Sequence, residues 1–224
     1  MNVLKQKIQE ILTGEVEDDE NTREYYSHDA SMFELLPELV VYPKTSDDLK
    51  SLVKFVAHTK ESLPNLSITP RSAGTDMSGG AIGQSIVVDF TRHFNSISAV
   101  TKTDAQVQPG VYYRDLERKT LNRGSLLPSY PASKDLCTVG GMVSNNSGGE
   151  KSLEYGKTED FVEELKVIFA DGNEYVVKPL TKKELDKKIA EQDYEGNIYK
   201  KIFQLVDGNY DEIKQAKPNV SKDS

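Results

Sequence analysis

Two stretches of this 224-residue chain gather residue types suited to close contact with a ligand: "PRSAGTDMSGGAIG", residues 70–83, and "TVGGMVSNNSGG", residues 138–149. Each holds four of the chain's 15 glycines. A loop that only reverses direction needs one or two. Consecutive main-chain N–H groups in a tight αR–αL loop make a concave nest for an anion, and the nest works only where side chains do not block the approach. Ala73, Gly74, Thr75, Asp76, Met77, Ser78 and Gly79 offer such a run, with the Thr75 and Ser78 hydroxyls as extra donors. A pyrophosphate is the group such a nest suits. Taken alone, the same loop also reads as a long turn of no chemical consequence. It is not a Walker A loop, because no Gly-Lys-Ser/Thr follows. Nor is it the dinucleotide GxGxxG, which must open into a helix where this loop opens into a strand.

The second stretch carries no charge and many small, amide and hydroxyl side chains. Thr138 and Asn146 suit the carbonyls and nitrogens of a heteroaromatic ring edge, while Gly140, Gly141, Gly148 and Gly149 let backbone lie against a flat face. Phosphates at one stretch and a ring at the other describe a long dinucleotide such as FAD.

These stretches need elements to hold them. Residues 2–12 read as an amphipathic helix with Leu4, Ile8, Ile11 and Leu12 on one side, and the acidic run 15–20 as a solvated connector. Residues 39–42 form a strand, and a helix capped near Thr45 or Ser46 follows, burying Leu49, Leu52, Val53 and Val56. Strands at 66–69 and 85–90 bracket the first loop. Two strands ending at Pro109-Gly110 precede a helix over 111–123, closed by Gly124 as an αL cap. Residues 125–156 show little periodicity. A hairpin turns at Asp171-Gly172. The remainder to residue 217 is charged and helical, with Ile198, Ile202, Leu205 and Val206 as an apolar stripe. The order suggests two small α/β lobes with the glycine-rich stretches at their junction.

Composition narrows the class. With 37% apolar and 29% charged residues the chain is ordinary globular material. No apolar run approaches the ~20 residues that span a bilayer, and the N-terminus lacks a signal-peptide core. A formal charge of −8 makes general nucleic-acid binding unsuitable, so an anionic ligand must be held by local dipoles. The lone Cys137 rules out an internal disulfide framework and fits a reducing compartment.

In order, "PRSAGTDMSGGAIG", "IVVDFTRHFNSI", "VQPGVYYRDLERKTLNRG" and "YPASKDLCTVGGMVSNNSGGEKSLEYGKTEDFVEELKVIFADG" resemble the FAD-binding domain of the vanillyl-alcohol-oxidase or PCMH-type flavoproteins. The similarity is greatest to the branch of glycolate oxidase and the D-lactate and D-2-hydroxyglutarate dehydrogenases, and covers about residues 22–217. It implies an α+β fold of two α/β subdomains with the cofactor between them. Residues 1–34 would be a helix and connector, and 35–217 the domain, divided near 95. It implies non-covalent FAD, with Ala73, Gly74, Thr75, Asp76, Met77, Ser78 and Gly79 on the pyrophosphate and Arg71 among the cofactor-binding residues. Pro131, Ser133, Thr138, Gly141, Asn146 and Gly149 would lie along the flavin and ribityl chain, and Val162 near the adenine.

Members of the branch oxidise a 2-hydroxy acid to the 2-oxo acid by hydride transfer to flavin N5, and pass electrons to a quinone, an iron–sulfur partner or another acceptor. Two departures matter. Asp76 puts a carboxylate where glycine is common. Relatives also continue into a substrate or cap domain, which carries the catalytic histidines and any metal ligands, so no catalytic or metal residue is assigned to this chain. The expected role is therefore the FAD-binding portion of a D-2-hydroxy-acid dehydrogenase or oxidase. The alternative is a non-catalytic FAD-carrying subunit that needs a separate cap polypeptide. A third reading, a reductase like the enolpyruvyl-group reductases of wall synthesis, needs NADPH and suits the second stretch less well. The expected location is cytoplasmic, with no direct membrane insertion; attachment to the inner face of a membrane through a partner stays open.

Other reactive residues read more simply. His28, His58 and His93 lack metal-ligand spacing and are expected to be surface or structural. Cys137 reads as a small packed thiol. Asp89 and Arg92 are expected to pair or cap at a strand end, Tyr25 and Tyr26 to pack, and the lysines of 178–201 to face solvent.

Overall fold

The computed structural model describes residues 2–216. The described chain is α+β and divides into two compact units. One runs to Val162 and takes back Ile168–Asn173; the other takes Glu163–Val167 and what is described from Glu174 onward.

The first unit is organised by α1 (Val3–Ile11), β1 (Glu15–Glu17), α2 (Glu20–Tyr25), β2 (Leu39–Tyr42), α3 (Ser46–Thr59), β3 (Ile68–Arg71) and β4 (Ile86–Asp89). The strands form one sheet in the order β1-β2-β4-β3, with β2, β4 and β3 parallel and β1 antiparallel at one edge. The two central strands, Leu-Val-Val-Tyr and Ile-Val-Val-Asp, are buried at every position, the pattern of parallel strands covered on both faces. Ile8, Leu12, Leu52 and Val56 pack over Leu39, Val41, Ile86 and Val88 on one face. Tyr26 joins Val40, Tyr42 and Val87 in a second cluster. Helix α3 starts where the Thr45 hydroxyl accepts the Asp48 amide. The Asp48 carboxylate in turn accepts the amides of Thr13 and Lys44, each at 2.8 Å, tying the α1–β1 turn to the β2–α3 turn.

The acidic run differs from expectation: Glu15–Glu17 is a strand of the sheet. Alternation puts Val16 in the core and both glutamates beside cations. Glu15 pairs with Lys44 at 3.1 Å and His93 at 2.8 Å, and Glu17 with Arg92 at 3.3 Å. The strand expected at 66–69 begins two residues later, which brings Pro70 and Arg71 into it. A proline is tolerated there because β3 is the other edge.

Beyond the sheet come the hairpin β5 (Ile97–Val100) and β6 (Ala105–Val107), then α4 (Tyr113–Leu121). Helix α4 starts two residues later than its periodicity suggests because residues 111–112 are spent in pairing. Tyr112 bridges Thr138, and the Val139 amide donates to Val111 O at 2.8 Å. The helix closes at Gly124, whose φ of +74° bears out the αL cap. The aperiodic region holds α5 (Val139–Ser144), α6 (Ser152–Tyr155) and a 3-10 turn at Thr158–Phe161. Tyr113, Tyr130, Cys137 and Met142 form its small core.

The second unit contains most of the hairpin β7 (Leu165–Ile168) and β8 (Glu174–Val177), followed by α7 (Lys182–Ala190), α8 (Tyr194–Gly208) and α9 (Tyr210–Ala216). On α8 the expected apolar stripe is present but exposed at Ile202, Leu205 and Val206. The expected domain end at residue 217 lies outside the described residues. No described helix is long and apolar enough to cross a membrane.

Candidate anion-binding groove

The first glycine-rich loop leaves the carboxyl end of β3 and returns to β4, the end of a parallel sheet where open α/β folds bind ligands. Its first half is held from beneath. Arg71, the last residue of β3, is only 8% exposed. Its Nη1 donates to Tyr26 O at 3.3 Å and His28 O at 2.5 Å, and its guanidinium lies 5.0 Å from the centre of the Tyr26 ring. No carboxylate lies within ion-pair distance of it among the described residues. Gly74, at φ +66°, sits against this guanidinium: a Cβ there would fall 2.7 Å from Arg71 Nη2. The Ala30 amide donates to Gly74 O at 3.0 Å. Because a trans peptide points its C=O and N–H in opposite directions, that bond fixes the Thr75 N–H facing away from Ala30.

The loop's second half is closed by its own carboxylate. Asp76 Oδ2 accepts the Ser78 amide at 3.0 Å, the Ser78 hydroxyl at 2.7 Å and the Gly80 amide at 2.7 Å. Asn145 Nδ2, from the second glycine-rich stretch, donates to Oδ1 at 3.3 Å. The Ser78 hydroxyl and the Gly80 amide, more than any charge, hold the Asp76 pKa below the usual carboxylate range. Asp76 therefore does not aim a bare charge into the loop, and Ser78, expected as a donor, is already engaged. The amides of Ala73, Gly74, Thr75, Asp76, Met77 and Gly79 have no acceptor among the described residues.

Ala73, Gly74 and Thr75 line a groove of about 850 Å³ together with Arg71, Tyr112 and Arg114. Tyr25, His28, Asp29 and Leu136 complete much of the wall. Tyr26 packs as expected, but Tyr25 is 72% exposed on the groove side. Asp29 Oδ1 accepts the Ser31 amide at 2.8 Å, while its buried Oδ2 finds no donor among the described residues. Open amides, a buried guanidinium lacking a carboxylate partner, and a glycine whose Cβ would fill the cradle fit a phosphate-type anion. Tyr112, Arg114, His28 and Asp29 were not among the expected cofactor-binding residues, because they line the groove from separate segments with no shared local pattern.

The second stretch is also engaged in local contacts of the protein itself. Thr138 is buried and its hydroxyl accepts the Gly141 amide at 3.3 Å, capping α5. Asn146 takes φ +44° and its Oδ1 accepts the Glu159 amide at 2.9 Å. Gly149 is needed because Tyr130 O presses where its Cβ would be, and Gly140 because Pro109 does. The first loop has a parallel case in Gly83, whose Cβ would meet Thr69 Oγ1. Gly141 has no such neighbour: its Cβ would sit 3.4 Å from Thr138 Oγ1. Pro131 and Ser133 are half-buried in the turn before Cys137, Ser133 O accepting the Cys137 amide at 2.8 Å, and Val162 is half-buried after the 3-10 turn. Met77 is exposed. Cys137 is 3% exposed, and burial pushes its thiol pKa up, as a packed thiol requires. Asp89 caps its strand end, accepting from Thr91, Arg92 and the Tyr26 hydroxyl.

The family profile described as "FAD binding domain" matches residues 37–178, which include the loop, Tyr112, Arg114 and the second stretch. D-2-hydroxyglutarate dehydrogenase of Escherichia coli (strain K12) is 30% identical over 207 residues, 91% of this chain and 20% of that protein. Glycolate oxidase subunit GlcD of Bacillus subtilis (strain 168) is 31% identical over 175 residues, 76% of this chain and 36% of that protein. The chain thus spans a fifth to about a third of these relatives' lengths. Among solved structures, alkyldihydroxyacetonephosphate synthase aligns with a TM-score of 0.65 at 21% identity, over 80% of this chain and 34% of that one. The likeness is one of fold.

Proposed function

The chain belongs to the FAD binding domain family, and from that premise we propose that it is the cofactor-holding part of a flavin-dependent oxidoreductase acting on a D-2-hydroxy acid of the lactate, glycolate or 2-hydroxyglutarate kind. FAD is the cofactor of this fold, α+β of the PCMH type, and when bound it supplies the hydride acceptor at flavin N5. The chain's own residues bind and orient. The open amides from Ala73 to Met77 donate to the diphosphate, and Gly79 adds one more. Arg71 places a fixed positive charge behind them, and Gly74 keeps that charge free of an intervening side chain. Asp29 Oδ2, buried and without a donor, suits a ligand hydroxyl. Gly141, the one glycine of α5 that protein packing does not require, leaves backbone accessible to a flat ring. Cys137 is packed in the core with Tyr113, Tyr130 and Met142, which supports non-covalent attachment.

The observation that carries the reading is the set of acceptor-free amides over a buried arginine with no carboxylate partner. Titration of the folded protein with FAD, followed by flavin fluorescence and thermal shift, tests it. At a free concentration one hundred times the dissociation constant, binding stabilises the fold by about 2.7 kcal/mol. A folded protein that leaves flavin fluorescence and melting unchanged overturns the reading.

A second reading concerns what lies outside the alignment, since the matched relatives are three to five times longer than the aligned region. On that reading the chain holds FAD without catalysis, and a cap-like polypeptide supplies the groups that take the substrate proton. Dye-linked oxidation of D-lactate, glycolate or D-2-hydroxyglutarate by the FAD-loaded protein separates the two, since turnover by this chain alone excludes the second.

A further inference from the structure

Arg114 stands out in the groove wall. Its guanidinium carbon lies over the Tyr112 ring, 4.1 Å from the ring centre, and Nη1 donates to the carbonyl of Asp135. Those two contacts hold the group at the groove wall. They are themselves fixed by main-chain pairing of residues 111–113 with 137–139, in which Tyr113 N donates to Cys137 O at 3.0 Å. The remaining guanidinium donors have no acceptor among the described residues, and no carboxylate lies within ion-pair distance. Glu24 and Asp29 also line the groove, yet neither pairs with Arg71 or Arg114. In a chain with 36 acidic and 28 basic residues, two guanidinium groups left without carboxylates in one groove mark a place for an external anion. A planar, pre-oriented guanidinium is the side chain best matched to phosphate oxygens.

We propose that Arg114 is a binding residue for the diphosphate of the cofactor, a second anchor that acts with Arg71 and the open loop amides. The proposal rests on the reading of the groove as the FAD site. Arg71 is buried and cannot turn outward, so it contributes field and loop shape. Arg114 is half-buried at the groove surface and contributes direct, orientable hydrogen bonds.

The test compares wild type with Arg114→Gln and Arg114→Lys, using FAD, ADP and riboflavin as probes. Glutamine keeps an amide donor but is shorter and uncharged; lysine keeps most of the reach and the charge but loses the flat fork. Arg114→Gln is expected to weaken FAD and ADP about tenfold, the scale of one charge-assisted hydrogen bond, while riboflavin, which has no phosphate, binds as before. Arg114→Lys should fall between the two. Melting of the unliganded variants checks that they are folded, and a variant that does not fold is replaced by Arg114→Met for the same comparison. Unchanged FAD and ADP affinity, or equal weakening of riboflavin, overturns the proposal. A wild-type protein that binds none of the three probes instead overturns the FAD-site reading itself.

Discussion

Gly74→Ala tests whether the loop is shaped around Arg71. The substitution imposes two costs. An alanine at φ +66° pays about 1–2 kcal/mol for a left-handed backbone. The new methyl would also sit 2.7 Å from Arg71 Nη2 and 3.0 Å from Cζ, so the guanidinium must move. Being buried and bonded to Tyr26 O and His28 O, it cannot move without weakening at least one charge-assisted bond, about 1.5–3 kcal/mol. The sum is about 2.5–5 kcal/mol, or a fall in Tm of roughly 5–20 °C for a chain of this size. Gly124→Ala is the internal control. Its φ is +74° but no atom of the described residues lies within 4 Å of the added carbon, so only the backbone cost applies, about 1–2 kcal/mol. A double-mutant cycle completes the argument: in an Arg71→Ala background, Gly74→Ala should cost no more than Gly124→Ala does. Urea denaturation of the unliganded proteins measures all of these. Equal costs for Gly74→Ala and Gly124→Ala, or no coupling to Arg71, would refute the account of the loop.

Asp76→Ala should speed hydrogen exchange at the Ser78 and Gly80 amides, which lose their acceptor, and leave exchange at Thr75 unchanged; two-dimensional NMR reads each amide. The Asp76 pKa is depressed in the fold, so its contribution is present above the unfolded value near 3.8 and is lost as pH falls through the lower folded value; Gly80 exchange protection should hold from pH 7 to pH 4 and drop below it. Asp48→Ala removes a buried carboxylate and with it the acceptor of the Thr13 and Lys44 amides, and should cost about 2–4 kcal/mol in urea denaturation, whereas Asp47→Ala, at an exposed neighbour, should cost under about 0.5. Cys137 should ignore a thiol reagent in the native protein and react fully in urea, and acid precipitation of FAD-loaded protein should release all of the flavin.

Much of the fold was legible where local rules and burial agree. The all-apolar strands β2 and β4, the Thr45 cap and the Gly124 and Gly172 turns each carry their cause within a few residues. The acidic strand β1 was not legible, since Glu-Val-Glu reads as solvent-facing until Lys44, Arg92 and His93 are brought beside it. The exposed stripe on α8 shows the converse: periodicity reveals an apolar face but not what covers it. Within the site, the loop itself was readable and its division into an open half and a self-capped half was not. That division depends on where one carboxylate turns. Glycine density also proved an ambiguous signal. Gly83, Gly140 and Gly149 make room for Thr69, Pro109 and Tyr130, so their presence is accounted for without a ligand.

The charge of the chain makes the arrangement of the groove intelligible. At a net −8 the long-range field opposes an anion, but at physiological salt it decays over about 8 Å. What decides binding is the first few ångströms. There the carboxylate most able to interfere, Asp76, is occupied by three donors of its own loop plus Asn145. Arg71 and Arg114 are held by carbonyls and aromatic rings, partners that orient a guanidinium without cancelling its charge. Had either arginine been paired with Glu24 or Asp29, the groove would offer a neutral salt bridge and little attraction. Carbonyl and ring partners thus leave local positive charge in an acidic protein, which is what the proposed diphosphate site requires.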